Sequence, residues 1–167
     1  MSAPSRAGEL PVDPDLLCED QPAARPARRR ADLLLVGAVA AGGAAGAVVR
    51  YAVSLAMPTG AGQFPWATFL INLSGSFLLG LLLVLVMEQF PRGHLARPLI
   101  GTGFIGAYTT FSTMSVEAVL LIRDHHLAVA TAYLGASLVG GLVCVWLGML
   151  GARLGVRAER WLQRELS

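Results

Sequence analysis

Pro98–Val116 reads PLIGTGFIGAYTTFSTMSV, nineteen residues without a charge. An apolar run of this length suits a helix that crosses the ~30 Å hydrocarbon core of a bilayer. Yet its Gly106–Met114 portion, GAYTTFSTM, holds five hydroxyl side chains and a helix-weakening glycine in nine positions. A helix that only anchors a domain would be leucine and valine throughout. This stretch therefore asks for a partner that needs donors and acceptors inside the membrane.

The rest of the chain agrees with a membrane setting. Of 167 residues, 54% are hydrophobic and 14% charged, and mean hydropathy is +0.59, which together exclude an ordinary soluble domain. Four uncharged runs, Leu33–Val49, Phe64–Met87, Pro98–Val116 and Leu127–Ala152, are continuous and not alternating, which favours helices over a barrel. The reading is an all-α integral membrane protein with four transmembrane helices at 33–56, 65–87, 98–122 and 127–151. A 32–153 membrane domain is flanked by a 1–31 arm and a 154–167 tail.

The arm carries five of the nine prolines and five of the eleven acidic residues. With few large apolar groups it is expected to be disordered, and its late basic cluster and long following apolar run do not resemble a cleaved signal peptide. All thirteen basic residues are arginines. Arg25, Arg28, Arg29, Arg30, Arg92, Arg97, Arg153, Arg157, Arg160 and Arg164 fall on one side of a four-span topology, against Arg50 and Arg123 on the other. The positive-inside rule then predicts a multi-pass protein of the inner (plasma) membrane with both termini cytoplasmic. The tail, RLGVRAERWLQREL, reads as a continuation of the fourth span, a basic amphipathic segment suited to anionic lipid more than to nucleic acid. Cys18 and Cys144 have neither metal-ligand spacing nor the placement of a disulfide.

Each span carries polar or small residues at helical spacing. In the first, Gly42, Gly46 and Arg50 recur every four residues, giving a face for close backbone approach. Arg50 has two readings, snorkelling to headgroups or attracting anions in a vestibule. In the second, Asn72 and Ser76 lie one turn apart. Asn72 is either an interhelical hydrogen-bond partner or a pore-lining donor whose NH2 replaces water around an anion.

In the third span, Gly101, Gly103 and Gly106 lower helix propensity, while Thr109, Thr110, Ser112 and Thr113 can satisfy backbone groups that a break would free. A discontinuous helix, which exposes carbonyls or N–H groups to ions, is thus open alongside a continuous one with hydroxyls folded onto their own carbonyls. Glu117 shares a face with Thr113, and an intramembrane carboxylate is a functional-site candidate. In the fourth, Tyr133 and Ser137 are one turn apart, Tyr133 also fitting an interfacial aromatic belt. His125 and His126 read as loop residues, since nothing nearby completes a metal site. No catalytic motif is present, so an enzyme is not expected.

At these residues the chain resembles the fluoride channel family known as Fluc or CrcB, through GGAAGAVVRY (42–51), NLSGSFLLG (72–80), GFIGAYTTFSTMSVE (103–117) and AYLGASLVGGL (132–142). The resemblance implies a broken third helix and an antiparallel dual-pore dimer with fluoride as the permeating ion. It implies a structural sodium ion at the dimer centre, held by the backbone carbonyls of Gly106 and Thr109. The fluoride pathway would comprise Asn72, Phe111, Ser112, Thr113, Met114, Glu117, Tyr133 and Ser137, with Arg50 at a vestibule. The family has a second phenylalanine where this chain has Met114, so a flexible thioether replaces one positive ring edge. The arginine bias predicts one fixed orientation, and because the implied dimer needs opposed subunits the expected partner is an oppositely biased paralogue, with a flipped second copy of this chain as the alternative. Competing functions are a small proton-coupled multidrug antiporter, disfavoured because the first span lacks a glutamate, and a non-transporting assembly subunit.

Overall fold

The structure, a computed structural model, describes residues 26–88 and 95–165. Most of the arm, residues 1–25, and Arg92 in the loop between the second and third spans lie outside the described residues. Five α-helices follow one another: α1 (Pro26–Ala56), α2 (Trp66–Glu88), α3 (Gly106–Tyr108), α4 (Phe111–Arg123) and α5 (Leu127–Glu165), with a π-helical segment Arg97–Ile105 ahead of α3. No strand occurs among the described residues. Four stretches are long and apolar enough to cross a membrane: Arg29–Ala56, Trp66–Leu85, Arg97–Arg123 and Leu127–Glu159.

Of the first compact unit, which ends at Leu33, the described part is the start of α1. This helix begins within the segment assigned to the arm. The second unit, Leu34–Ser167, contains the remaining elements. Its side chains are distributed as a bilayer requires and not as water would. Large apolar groups such as Val48, Leu55 and Val119 face outward, an exposure that lipid tails tolerate and water does not.

Inter-helix contact is made by backbone. A Cβ on Gly80 would overlap the Val145 carbonyl, and one on Gly148 would overlap the Phe77 carbonyl, so α2 and α5 each supply a glycine at their crossing. The Gly42–Gly46 face of α1 packs in the same way, Gly42 against the Leu99 carbonyl and Gly46 against the Phe104 carbonyl. Lipid offers no hydrophobic drive for helix association, so close approach and dispersion must supply it.

Chain reversals are set by local chemistry. Met57 precedes Pro58, which disfavours further helix, and α1 ends at Ala56. In the following loop the Gly60 N–H donates to Gln63 Oε1 at 3.2 Å, and Gly62 takes φ 73° with the His126 ring packed directly over its Cα. At the other end, His125 adopts φ 65° and the His126 N–H donates to the Leu121 carbonyl at 2.8 Å, closing α4 onto α5 within three residues.

Two features concern the helices themselves. The first is the π-helix over Arg97–Ile105, which hands over to α3 where the Gly106 N–H reaches the carbonyls of Gly101 and Gly103. Its wider turns coincide with the glycines that give α1 its close seat. The second is the length of α5, whose 39 residues form one helix through Glu165, about 58 Å at 1.5 Å per residue. The segment assigned to the tail is therefore continuous with the fourth span.

Substituting Gly148 or Gly80 by valine is expected to prevent the α2–α5 crossing and abolish folded protein in detergent. Gly135→Ala, where an added methyl meets nothing within 4 Å, is expected to match or slightly exceed the parent. Thermal melting with size-exclusion profiles of the three variants checks both outcomes.

Candidate functional site

The third span changes conformation in its middle. The last helical bond of α3 runs from the Thr109 N–H to the Ile105 carbonyl at 3.0 Å. Thr109 then takes φ −75°, ψ 157° and Thr110 φ −150°, ψ 120°, both extended, before α4 begins at Phe111. Thr110 is the N-cap of α4: its Oγ1 accepts from the Thr113 N–H at 3.2 Å, donates to Thr113 Oγ1 at 3.0 Å and lies 3.3 Å from Ser112 Oγ. A threonine side chain thus satisfies one of the free N–H groups at the start of that helix.

Extended residues between helices expose backbone groups, and α2 meets them. Asn72 Nδ2 donates to the Thr110 carbonyl at 2.9 Å, while its Oδ1 accepts from the Thr110 N–H at 2.9 Å. Ser74 Oγ and Tyr108 Oη are 2.9 Å apart, and Gly75 gives room to the Thr109 methyl. Of the two readings of Asn72, the interhelical bond is the one made within this chain.

These bonds alter the acceptors behind them. In a continuous helix the Gly106 carbonyl would accept from the Thr110 N–H, and the Thr109 carbonyl from the Thr113 N–H. The first donor goes to Asn72 and the second to Thr110 Oγ1. Because Thr109 and Thr110 are extended, the carbonyls of Ala107 and Tyr108 lose their helical donors as well, so all four from Gly106 to Thr109 are released, and such oxygens suit a hard monovalent cation. Among the described residues, no cluster of three or more His, Cys, Asp or Glu side chains could hold a metal.

Beside the interruption, an open groove of ≈460 Å³ runs between α2, α4 and α5. Asn72, Thr109, Thr110, Phe111, Met114 and Ser137 line it. Phe111 is 77% exposed, so its ring is available to whatever fills the groove. The Ser137 hydroxyl is buried and has no hydrogen-bond partner among the described residues. Met114 also packs against the small core of Ala118, Leu121, Ala130 and Tyr133. Its thioether therefore connects that core to the groove wall.

Glu117 occupies a separate place. Thr68 Oγ1 donates to its Oε1 at 2.8 Å and Tyr133 Oη to its Oε2 at 2.7 Å. Tyr133 is fully buried, with Phe64 edge-on at 5.3 Å. Glu117 forms part of a second cavity of ≈330 Å³, roofed by the Thr59–Gln63 loop and bordered by the paired Arg123 and Asp124. Two hydroxyl donors thus hold the carboxylate at the base of a loop-covered mouth.

Of the residues expected on the fluoride pathway, the fold brings Asn72, Phe111, Met114 and Ser137 to one groove. It does not bring Glu117 or Tyr133 there; they form their own cluster, and Tyr133 lines neither cavity. Ser112 and Thr113 are exposed and join the Thr110 cap instead of the groove wall. Arg50, half-exposed near the end of α1, lines neither cavity. Sequence reasoning missed Thr68, although its signal was available: Thr68, Asn72 and Ser76 continue one i, i+4 face of α2.

With this geometry in hand, comparison with known proteins decides the family. Residues 37–149 match the family described as CrcB-like protein, Camphor Resistance (CrcB). The chain belongs to the CrcB family. Among relatives, it is 43% identical over 143 residues to the fluoride-specific ion channel FluC 1 of Streptomyces coelicolor, covering 84% of this chain and 91% of that protein. It is 50% identical over 119 residues to FluC 1 of Lactiplantibacillus plantarum, covering 71% and 98%. With FluC 2 of Nocardia farcinica it shares 36% identity over 160 residues, covering 96% and 99%. With four apolar spans, this CrcB chain is a multi-pass membrane protein.

Tyr133→Phe removes the one donor that Glu117 Oε2 has among the described residues. The expected cost is about 1–3 kcal/mol, read as a lower melting temperature in detergent. Thr68→Val is expected to fall in the same range, and the double variant to lose less than the sum if both hydroxyls serve one group.

Proposed function

We propose that the chain is a subunit of a fluoride-selective passive channel that exports cytoplasmic fluoride and so lowers its toxicity. The observation that carries the reading is the open groove at the extended Thr109–Thr110 segment, where an amide, an exposed phenyl ring and an unpartnered hydroxyl converge. Fluoride is small and strongly hydrated, and accepts hydrogen bonds well. A path selective for it must replace water with donors in a narrow passage. The Ser137 hydroxyl and an Asn72 N–H are such donors, and the Phe111 ring presents a positive edge. Met114 supplies a polarizable wall where a second ring edge would otherwise stand. The fluoride-specific relatives support the choice of ion.

The groove is open along one side, and a passage needs a wall there. In this reading a second subunit, inserted antiparallel, closes it and forms a second passage by symmetry. The extended residues are then a break in the third membrane helix, and the two breaks face each other at the dimer centre. A structural sodium ion would be held there by the Gly106 and Thr109 carbonyls of both subunits. Bound sodium supplies the positive charge that ties four carbonyl dipoles together. Glu117, Thr68 and Tyr133, with Thr113 nearby, form a polar route toward the loop-covered mouth, and Arg50 draws anions to a vestibule. The arginine bias fixes both termini in the cytoplasm, which favours an oppositely inserted paralogue over a flipped copy.

Proteoliposomes containing the chain, alone and mixed with a paralogue, are expected to release fluoride and retain chloride. Chloride release at a similar rate would reject selectivity, and absence of fluoride release in both preparations would reject the channel. Phe111→Ala is expected to slow fluoride release by at least about tenfold, an effect of one ion contact worth about 1.4 kcal/mol, with assembly unchanged. Single cysteines placed at each terminus are expected to react with impermeant reagents from the cytoplasmic side alone; reaction from both sides would overturn the fixed orientation.

A further inference from the structure

We infer that Asn72 is a positioning residue: by capturing both backbone groups of Thr110 it holds the third span open and keeps the Gly106 carbonyl free for a cation. The inference rests on the channel reading and concerns how its centre is built. An extended residue turns its own N–H and C=O to the same side, as a strand does toward its neighbour. Thr110, at φ −150° and ψ 120°, is such a residue. A carboxamide carries a donor and an acceptor at matching spacing, and Asn72 engages both groups at 2.9 Å.

The alternative partner for the Thr110 N–H is the Gly106 carbonyl, four residues back. If Thr109 and Thr110 both returned to helical geometry, that bond would form, and α3 and α4 would join. Asn72 therefore competes directly with closure of the helix. Neighbouring residues of α2 hold the same segment: Ser74 Oγ is 2.9 Å from Tyr108 Oη, and Gly75 admits the Thr109 methyl. Three residues of one helix thus meet the two extended residues and Tyr108, the last residue of α3 before them. The amide retains one N–H that has no partner among the described residues, and Asn72 lines the groove. One side chain accordingly couples the cation-facing carbonyls to the wall of the anion path.

The test compares full-length wild type, Asn72→Ala, Asn72→Asp and Phe111→Ala. It reads hydrogen exchange at the Thr110 amide by NMR, the sodium concentration that half-protects the protein against thermal unfolding, and fluoride efflux from liposomes. In Asn72→Ala the Thr110 amide should exchange at least about tenfold faster and more sodium should be needed. Phe111→Ala should keep wild-type values for both while its efflux falls.

Asn72→Asp separates the two bonds. Ionised, the aspartate still accepts from Thr110 N–H but cannot donate to the carbonyl, so the sodium midpoint rises. Protonated at lower pH, it regains one donor and one acceptor, and the midpoint should return toward wild type. Wild-type exchange at Thr110 in Asn72→Ala, or an Asn72→Asp sodium midpoint that stays unchanged with pH, would overturn the inference. Should Asn72→Ala fail to fold, the pH dependence of Asn72→Asp decides alone. Failure of wild type to conduct fluoride would remove the channel reading, while exchange at Thr110 would still report on the brace.

Discussion

In hydrocarbon no water can take a free backbone hydrogen bond, so a polar group exposed by an interrupted helix needs a partner other than water. The extended Thr109–Thr110 segment is where this constraint bears hardest. The Asn72 amide, the Thr110 hydroxyl and the Ser74–Tyr108 pair answer it. Where α2 lies, which carbonyls are released, and where the groove opens all follow from satisfying that segment.

Helix α2 is accordingly the organising element. One of its faces carries Thr68 to Glu117 and Asn72 to Thr110. Farther along, Gly75 seats Thr109 and Gly80 seats the α5 backbone. Polar grip and glycine contact serve different ends. The contacts bring helices close where lipid provides no drive for association, and the hydrogen bonds fix the register at which they meet. A loss of either would displace Phe111 and Ser137 from a common groove, since these residues come from different helices.

Much of this was legible in the linear sequence. The uncharged runs specify four spans because bilayer thickness sets helix length. Gly42 and Gly46 announced a close helix contact, and their four-residue spacing put them on one face. The hydroxyl-rich Gly106–Met114 stretch marked the place of irregular backbone, since only such residues can satisfy it internally. The two hydroxyl donors on Glu117 were not legible, because Thr68 and Tyr133 lie 49 and 16 residues away from it in the chain. Nor did spacing reveal that Glu117 belongs to the loop-covered mouth and Phe111 to the groove; a six-residue separation within one helix leaves both possibilities open.

The sequence by itself determined the membrane class, the number of spans and the glycine face of α1, and it marked Gly106–Met114 as a stretch where the third span could depart from a regular helix. Its motifs also carried the CrcB family. These are properties of length, hydropathy and local propensity, which act along the chain. Tertiary structure alone decided that Asn72 binds Thr110 through both of its polar atoms, that the carbonyls from Gly106 to Thr109 lose their helical donors, and that the Ser137 hydroxyl has no partner among the described residues. Hydrogen bonds between helices depend on rotation and register to within about an ångström. Hydropathy cannot encode that; the packing of glycine against backbone sets it.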